Sequence, residues 1–185
     1  MASVWGQTRC SRASCSLCSD NTIQIGNQVV GTAAGLIWHI RQPFTCDAKN
    51  VVYLITCAQC RAQYVGETDN FKGRVQHHKS EIRNPGRDAS AVVTHFRSHG
   101  WENFRVTCLE SAPPGNNMVG YRRRHETYFI HFFGSTLNTV TTQSNISHAF
   151  RRSRPAPPVP APIILRSRYF TPVPEAAPRE VEMEG

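Results

Sequence analysis

The segment Val51-Val52-Tyr53-Leu54-Ile55-Thr56-Cys57-Ala58-Gln59-Cys60-Arg61-Ala62-Gln63-Tyr64-Val65-Gly66 constrains the fold of this chain more than any other. Residues 51–56 are β-branched or apolar, residues 64–67 are strand-compatible, and the Cys-x2-Cys between them is short. The segment therefore predicts a β-hairpin with a tight turn. With Ala58 and Gln59 as the turn residues, Cys57 faces Cys60 and Tyr53 faces Tyr64, because directly opposed residues share a face of the sheet. A slip of one residue at a metal-distorted turn would send the two phenols to opposite faces.

The 185 residues are a one-domain length. From Arg151 onward, prolines at 155, 157, 158, 160, 162, 172, 174 and 178 forbid regular structure. Three segments follow: a Cys-rich lead-in over 1–46, a folded domain over 47–140, and a disordered Pro-rich tail over 141–185 that is basic and then acidic. Residues 1–150 hold 15 Lys/Arg against 9 Asp/Glu, and residues 151–170 add five arginines and no acid. A net charge of +8 points to a polyanion as the natural partner. No apolar run approaches the roughly 18 residues that span a bilayer, and Met1 is not followed by a signal segment. The expectation is an intracellular, nuclear protein without a membrane contact or a small-molecule cofactor.

Seven cysteines without a signal segment argue for metal ligands or free thiols over disulfides. Cys57 and Cys60 are completed by His95 and His99, four apart and so on one face of a helix expected over Ala89–Ser98. That Cys2His2 set suits tetrahedral zinc. The gap between Cys60 and His95 is too long for a small base-reading finger, so zinc would staple the hairpin to a distant helix. Upstream, Cys10, Cys15 and Cys18 lack one ligand, and Cys46 supplies it for a possible second zinc. Cys108 alternates with Phe104 and Val106 on one face of a strand and reads as a core thiol.

Two further helices carry polar residues beside apolar ones. After Gly66, Thr68 or Asp69 caps a helix to about Arg83, with Phe71, Val75, His78 and Ile82 on one side and Arg74 at the edge of that face; His77 faces away. Over Val119–Phe133, the stripe Val119, Glu126, Ile130, Phe133 places a carboxylate on an apolar face. A lone buried carboxylate costs several kcal/mol without a partner. Arg122 is one candidate, as an i,i+4 ion pair. A divalent ion, Mg2+ or Mn2+, is the other, since Mg2+ keeps several waters and takes other ligands from phosphate.

Tyr53, the triplet Tyr64-Val65-Gly66, Arg74, His78, Glu126 and the pair Leu137-Asn138 together resemble the GIY-YIG endonuclease fold. The Cys-x2-Cys between the tyrosine motifs resembles the variant found in Penelope-like retroelements, whose Cys-Cys-His-His motif the set above would match. Two positions depart from the pattern: Val51-Val52 stands where Gly-Ile is usual, and Thr136 where a glycine is usual. The resemblance implies an α+β fold with a small three-stranded antiparallel sheet flanked by helices, stapled by zinc. It further implies a retroelement-derived, metal-dependent enzyme that nicks DNA by hydrolysing a phosphodiester. In it Glu126 holds the catalytic ion, Arg74 grips the phosphate, Tyr53 is general base or water-positioner with Tyr64 and His78 around it, and Asn138 braces the site. His78, which titrates in the useful range, rivals Tyr53 as base. The alternatives are a catalytically silent, zinc-stabilised nucleic-acid-binding module, and a zinc adaptor whose segment Pro155–Pro160 recruits partners.

Overall fold

The computed structural model describes residues 5–32, 35–84, 89–115 and 117–138; the tail expected over 141–185 lies outside them. In chain order the elements are β1 (Gly6–Gln7), α1 (Ser16–Ser19), β2 (Gln28–Val30), β3 (Ile37–His39), β4 (Pro43–Phe44), β5 (Lys49–Cys57), β6 (Gln63–Asn70), α2 (Phe71–Arg83) and α3 (Ala91–His99). After a short 3-10 turn at Trp101–Asn103 come β7 (Phe104–Ser111) and α4 (Met118–Phe133). The fold is α+β, built on a three-stranded antiparallel sheet of order β6-β5-β7.

β5 is the central strand, and residues 51–55 and 57 are at most 1% exposed. That burial on both faces is why its sequence is a near-continuous apolar run instead of an alternating one. The hairpin forms, but in a different register from the one expected. Tyr53 pairs with Gly66 and Ile55 with Tyr64, so the pairing is displaced by two residues. The reason lies in the turn: Arg61 N–H donates to the Cys57 carbonyl, Cys57 N–H donates to the Ala62 carbonyl, and Arg61 adopts φ +67°. The knuckle thus takes up six residues, Cys57 to Ala62, rather than a two-residue bend. A displacement of two preserves the faces, since the side-chain period of a strand is two, and the phenol rings remain neighbours at 6.4 Å.

The helices cover the two faces. α2 starts one or two residues later than expected, because β6 runs on to Asn70 and the Asn70 side chain caps the helix by accepting from Gly73 N–H; Asn does this as well as Asp or Thr. It buries Phe71, Val75, His78 and Ile82. α4 buries Arg122, Phe129 and Phe133, while Val119 is 47% exposed. The buried stripe is therefore Arg122, Glu126, Phe129, Phe133, rotated from the one expected. An arginine lies inside because it finds partners there, as described below.

The lead-in packs on the same core. Gln7 Oε1 accepts from Cys108 N–H, and Val106 exchanges backbone bonds with Thr22 and Gln24. Those contacts cover part of the outer edge of β7. Trp38 of β3 stands edge-on to Phe129 at 4.8 Å. The outer edge of β6 is bonded instead by the residues after α4, with Leu137 N–H donating to Gln63 O. No helix among the described residues is long and apolar enough to cross a membrane.

Candidate active site and metal centres

β5, β6, α2 and α4 bring the expected polar residues together on the β6 side of the sheet. Tyr53 lies in the middle of β5 and is fully buried. Its Oη accepts from Arg74 Nε–H of α2 (3.1 Å) and lies 3.0 Å from His78 Nε2. Tyr53 Oη thus accepts one bond from Arg74 and shares a second with His78, in which the imidazole tautomer sets the donor. Gly66, directly opposite Tyr53, lets this happen: a Cβ there would sit 2.5 Å from Tyr53 Oη and 2.8 Å from Tyr64 Cε1. The glycine of the second motif is required by the ring lying across it.

The electrostatics divide these groups into fixed and available ones. Burial pushes the Tyr53 phenol well above its ordinary range, and Tyr64 adds to this while Arg74 opposes it. Burial, then Arg74 and His77, push His78 down to about 3. At 1% exposed and pushed down by burial, His78 does not titrate in the range its sequence reading gave it. Its Nδ1 has no hydrogen-bond partner among the described residues, with Glu81 Oε2 4.0 Å away. Tyr64 is only partly buried; burial raises it too, with Arg74 opposing.

Glu126 is half-buried on α4. Burial raises its carboxyl above the ordinary range, Glu67 raises it further, and Arg74 opposes. Its charge is also felt by both phenols, so the carboxylate, the guanidinium and the two tyrosines share one locale. Arg122 does not pair with Glu126. Its Nε–H donates to Glu67 Oε2 and its Nη1–H to Asn50 Oδ1, both at 2.6 Å. This buried pair ties α4 to β5 and β6 and withdraws the cation that the sequence offered to Glu126. A raised, half-buried carboxylate beside a second carboxylate fits a hard divalent cation. Glu126 would hold it.

Asn138 completes the edge. Its Oδ1 accepts from Val65 N–H (2.8 Å), and its Nδ2–H donates to Val65 O (2.7 Å), while Ser135 Oγ–H donates to the same Oδ1. One side-chain amide thus acts as a single rung of strand on β6, which fixes the backbone between Tyr64 and Gly66. Glu67, Asn50 and Arg122 are the site residues that sequence reasoning did not assign. Glu67 directly follows the triplet, and Asn50 adopts φ +52°, but their partnership spans 72 positions and leaves no local signal.

Both cysteine sets assemble. Sulfur and nitrogen atoms of Cys57, Cys60, His95 and His99 all lie within 4.8 Å of one another, and so do the sulfurs of Cys10, Cys15, Cys18 and Cys46. Cys57 Sγ is 3.7 Å from His99 Nδ1, Cys60 Sγ is 3.4 Å from His95 Nε2, and Cys18 Sγ is 3.8 Å from Cys10 and 3.2 Å from Cys46. Zinc bonded at about 2.3 Å to sulfur and 2.0 Å to nitrogen has tetrahedral edges of roughly 3.5–3.8 Å, which these separations approximate. The first set joins the β5–β6 turn to α3, whose histidine rings stack at 4.0 Å. Burial, then His99, push His95 down, favouring the neutral imidazole that binds metal. The second set ties the lead-in to the start of β5. Cys108 is fully buried in the core.

Residues 49–138, which hold all of the candidate catalytic residues, match the family model of the GIY-YIG catalytic domain. The catalytic domain of homing endonuclease I-TevI is a similar solved structure, with 22% identity over 48% of this chain and 91% of that chain and a TM-score of 0.40. No curated protein matches the chain.

Proposed function

We propose that this chain is a metal-dependent DNA endonuclease that hydrolyses one phosphodiester of a strand, leaving a nick. The observation that carries the reading is the Glu126 carboxyl, raised by burial and by Glu67, held with Arg74, Tyr53 and Tyr64 on the β6 side of the sheet. The match to the GIY-YIG catalytic domain, a group of nucleases, supports it, as does the net charge of +8.

Each residue has a role that follows from its surroundings. Arg74 is aimed by the bond from its Nε–H to Tyr53, leaving its other N–H groups to neutralise charge developing on the phosphoryl oxygens. Tyr53 and His78, both buried, act by holding Arg74 in place. Tyr64, the accessible phenol, orients the attacking water, and Asn138 fixes the strand that carries it. Glu126 would hold Mg2+ or Mn2+, which when bound polarises the phosphate and stabilises the leaving oxygen. Zinc at Cys57, Cys60, His95 and His99, and at the four upstream cysteines, is structural. A Cys-Cys-His-His set inside a GIY-YIG-like fold supports descent from a Penelope-like retroelement, and an enzyme acting on chromosomal DNA would work in the nucleus.

The test incubates supercoiled plasmid with purified protein and Mg2+ or Mn2+, beside Glu126→Ala. Nicking by the wild type alone is expected; nicking by both proteins, or by neither, would overturn the reading.

A further inference from the structure

A second polar cleft lies apart from the catalytic edge, at the turn end of the β5–β6 hairpin and against the lead-in. It encloses about 430 Å3, within the range of small-ligand sites. Arg61 and Arg105 line it and no carboxylate does. Ile23 and Val29 are buried beneath it, and the rim carries Ile25 and Val30, 53% and 44% exposed.

The polar groups here retain binding capacity. Gln63 is committed, bonding Val30 O, Thr32 and Thr56. The side chains of Gln24, Gln28 and Arg61, in contrast, make no hydrogen bond among the described residues. Arg105 spends Nη1 on the carbonyls of Glu102 and Phe104 and keeps its other donors. Apolar surface at the mouth, free amides and guanidinium groups with no acid to neutralise them are the three chemistries a nucleotide presents to: a base face, base edges and a phosphate.

We propose that this cleft holds a single-stranded nucleotide of the DNA strand being cut, near the scissile phosphate. This rests on the reading of the chain as a DNA endonuclease. Gln63 lines the cleft on the sheet face opposite Tyr64, its neighbour along β6, and the edge between them carries the bonds of Leu137 N–H to Gln63 O and of Asn138 to Val65. At about 3.3 Å per strand residue, Gln63 is about 10 Å along β6 from Gly66. A strand that also rounds the edge covers more than this, about three nucleotides or more at roughly 3.4 Å each. The strand would pass from the cleft over the edge to Arg74, with Arg61 and Arg105 neutralising phosphates on the way. A cleft with an apolar rim and free amides takes an unpaired base, so a flap, gap or overhang should be preferred over continuous duplex.

The experiment measures fluorescence anisotropy of a labelled 15-nucleotide single strand with the zinc-loaded full chain carrying Glu126→Gln, so that binding is read without cleavage. Arg61→Asn removes the guanidinium and keeps a residue tolerant of the left-handed backbone; Gln28→Ala tests the amide. Arg61→Asn should weaken binding about five- to tenfold and lower the slope of log affinity against log salt by about 0.7, the value for one single-strand phosphate. Gln28→Ala should weaken binding without changing that slope. Affinity and slope unchanged in both variants overturn the proposal, as does equal binding of a blunt duplex. Competition by dAMP as strong as by the single strand would also overturn it, by showing a site for free nucleotide. Plasmid nicking by the wild type is assayed separately: weakened strand binding with no nicking upholds the cleft and removes the nuclease reading, and nicking with unchanged binding does the reverse.

Discussion

Gly66→Ala isolates the contact on which the site is built. Gly66 does not adopt positive φ, so its backbone accepts alanine, and in a strand interior alanine is better than glycine by about 0.5–1 kcal/mol. Sterics oppose this, since the new Cβ would lie 2.5 Å from Tyr53 Oη and 2.6 Å from Cζ. Tyr53 cannot yield freely, being fully buried and bonded to Arg74 and His78. Overpacking costs about 1–3 kcal/mol and one lost hydrogen bond about 1 kcal/mol, so the net expectation is a loss of about 1–3 kcal/mol after the strand gain. Urea unfolding at constant zinc measures it, in the wild type and in a Tyr53→Leu background that lacks the outer ring atoms. The penalty should largely vanish in that background, a coupling of the kind a double-mutant cycle reads. Nicking by Gly66→Ala should fall as well, because displacing the phenol releases Arg74. Equal penalties in both backgrounds, or a Gly66→Ala protein as stable as the wild type, would refute the reasoning.

Other substitutions test the rest of the frame. Metal analysis should find two zinc ions per chain and one in Cys57→Ser, with a lower thermal midpoint; an unchanged zinc content would remove the staple. His78, at about 3 in the folded chain against about 6.5 unfolded, binds fewer protons than the unfolded state between those values. Its contribution is thus fully present above pH 6.5 and is lost as pH falls toward 3, on the order of 3–5 kcal/mol; His78→Gln should flatten urea stability across that window, and an unchanged profile would show that the ring is not buried neutral. Asn138→Asp keeps the acceptor for Val65 N–H but sets a carboxylate against Val65 O, so nicking should fall well below that of Asn138→Ala; equal activity would remove the edge pairing from the account.

The sequence carried the strands, the helices and the metal ligands because their signals are local. β5 shows as an apolar run because it is buried on both sides, and the two cysteines and two histidines show as short spacings on one turn and one helix face. Asn70 as the cap of α2 is a local matter as well, and was missed only because three adjacent residues can each cap. The register of the hairpin was less legible. A two-residue turn is the usual solution for a short link, whereas the knuckle takes six residues to place two cysteines and uses Arg61 in a left-handed conformation that its side chain does not announce.

The sequence by itself determined the α+β class, the hairpin that carries the two tyrosines, and which residues carry charge and sulfur, since these depend on side-chain periodicity and chemistry close along the chain. Tertiary structure alone decided which of those groups are free to act. It buried His78 beside a cation and made it neutral, drew Arg122 away from Glu126 to Glu67 and Asn50, and covered one sheet edge with the lead-in while leaving β6 to Asn138 and the site. Each of these outcomes depends on desolvation and on partners tens of residues away, quantities that exist only once the elements have packed.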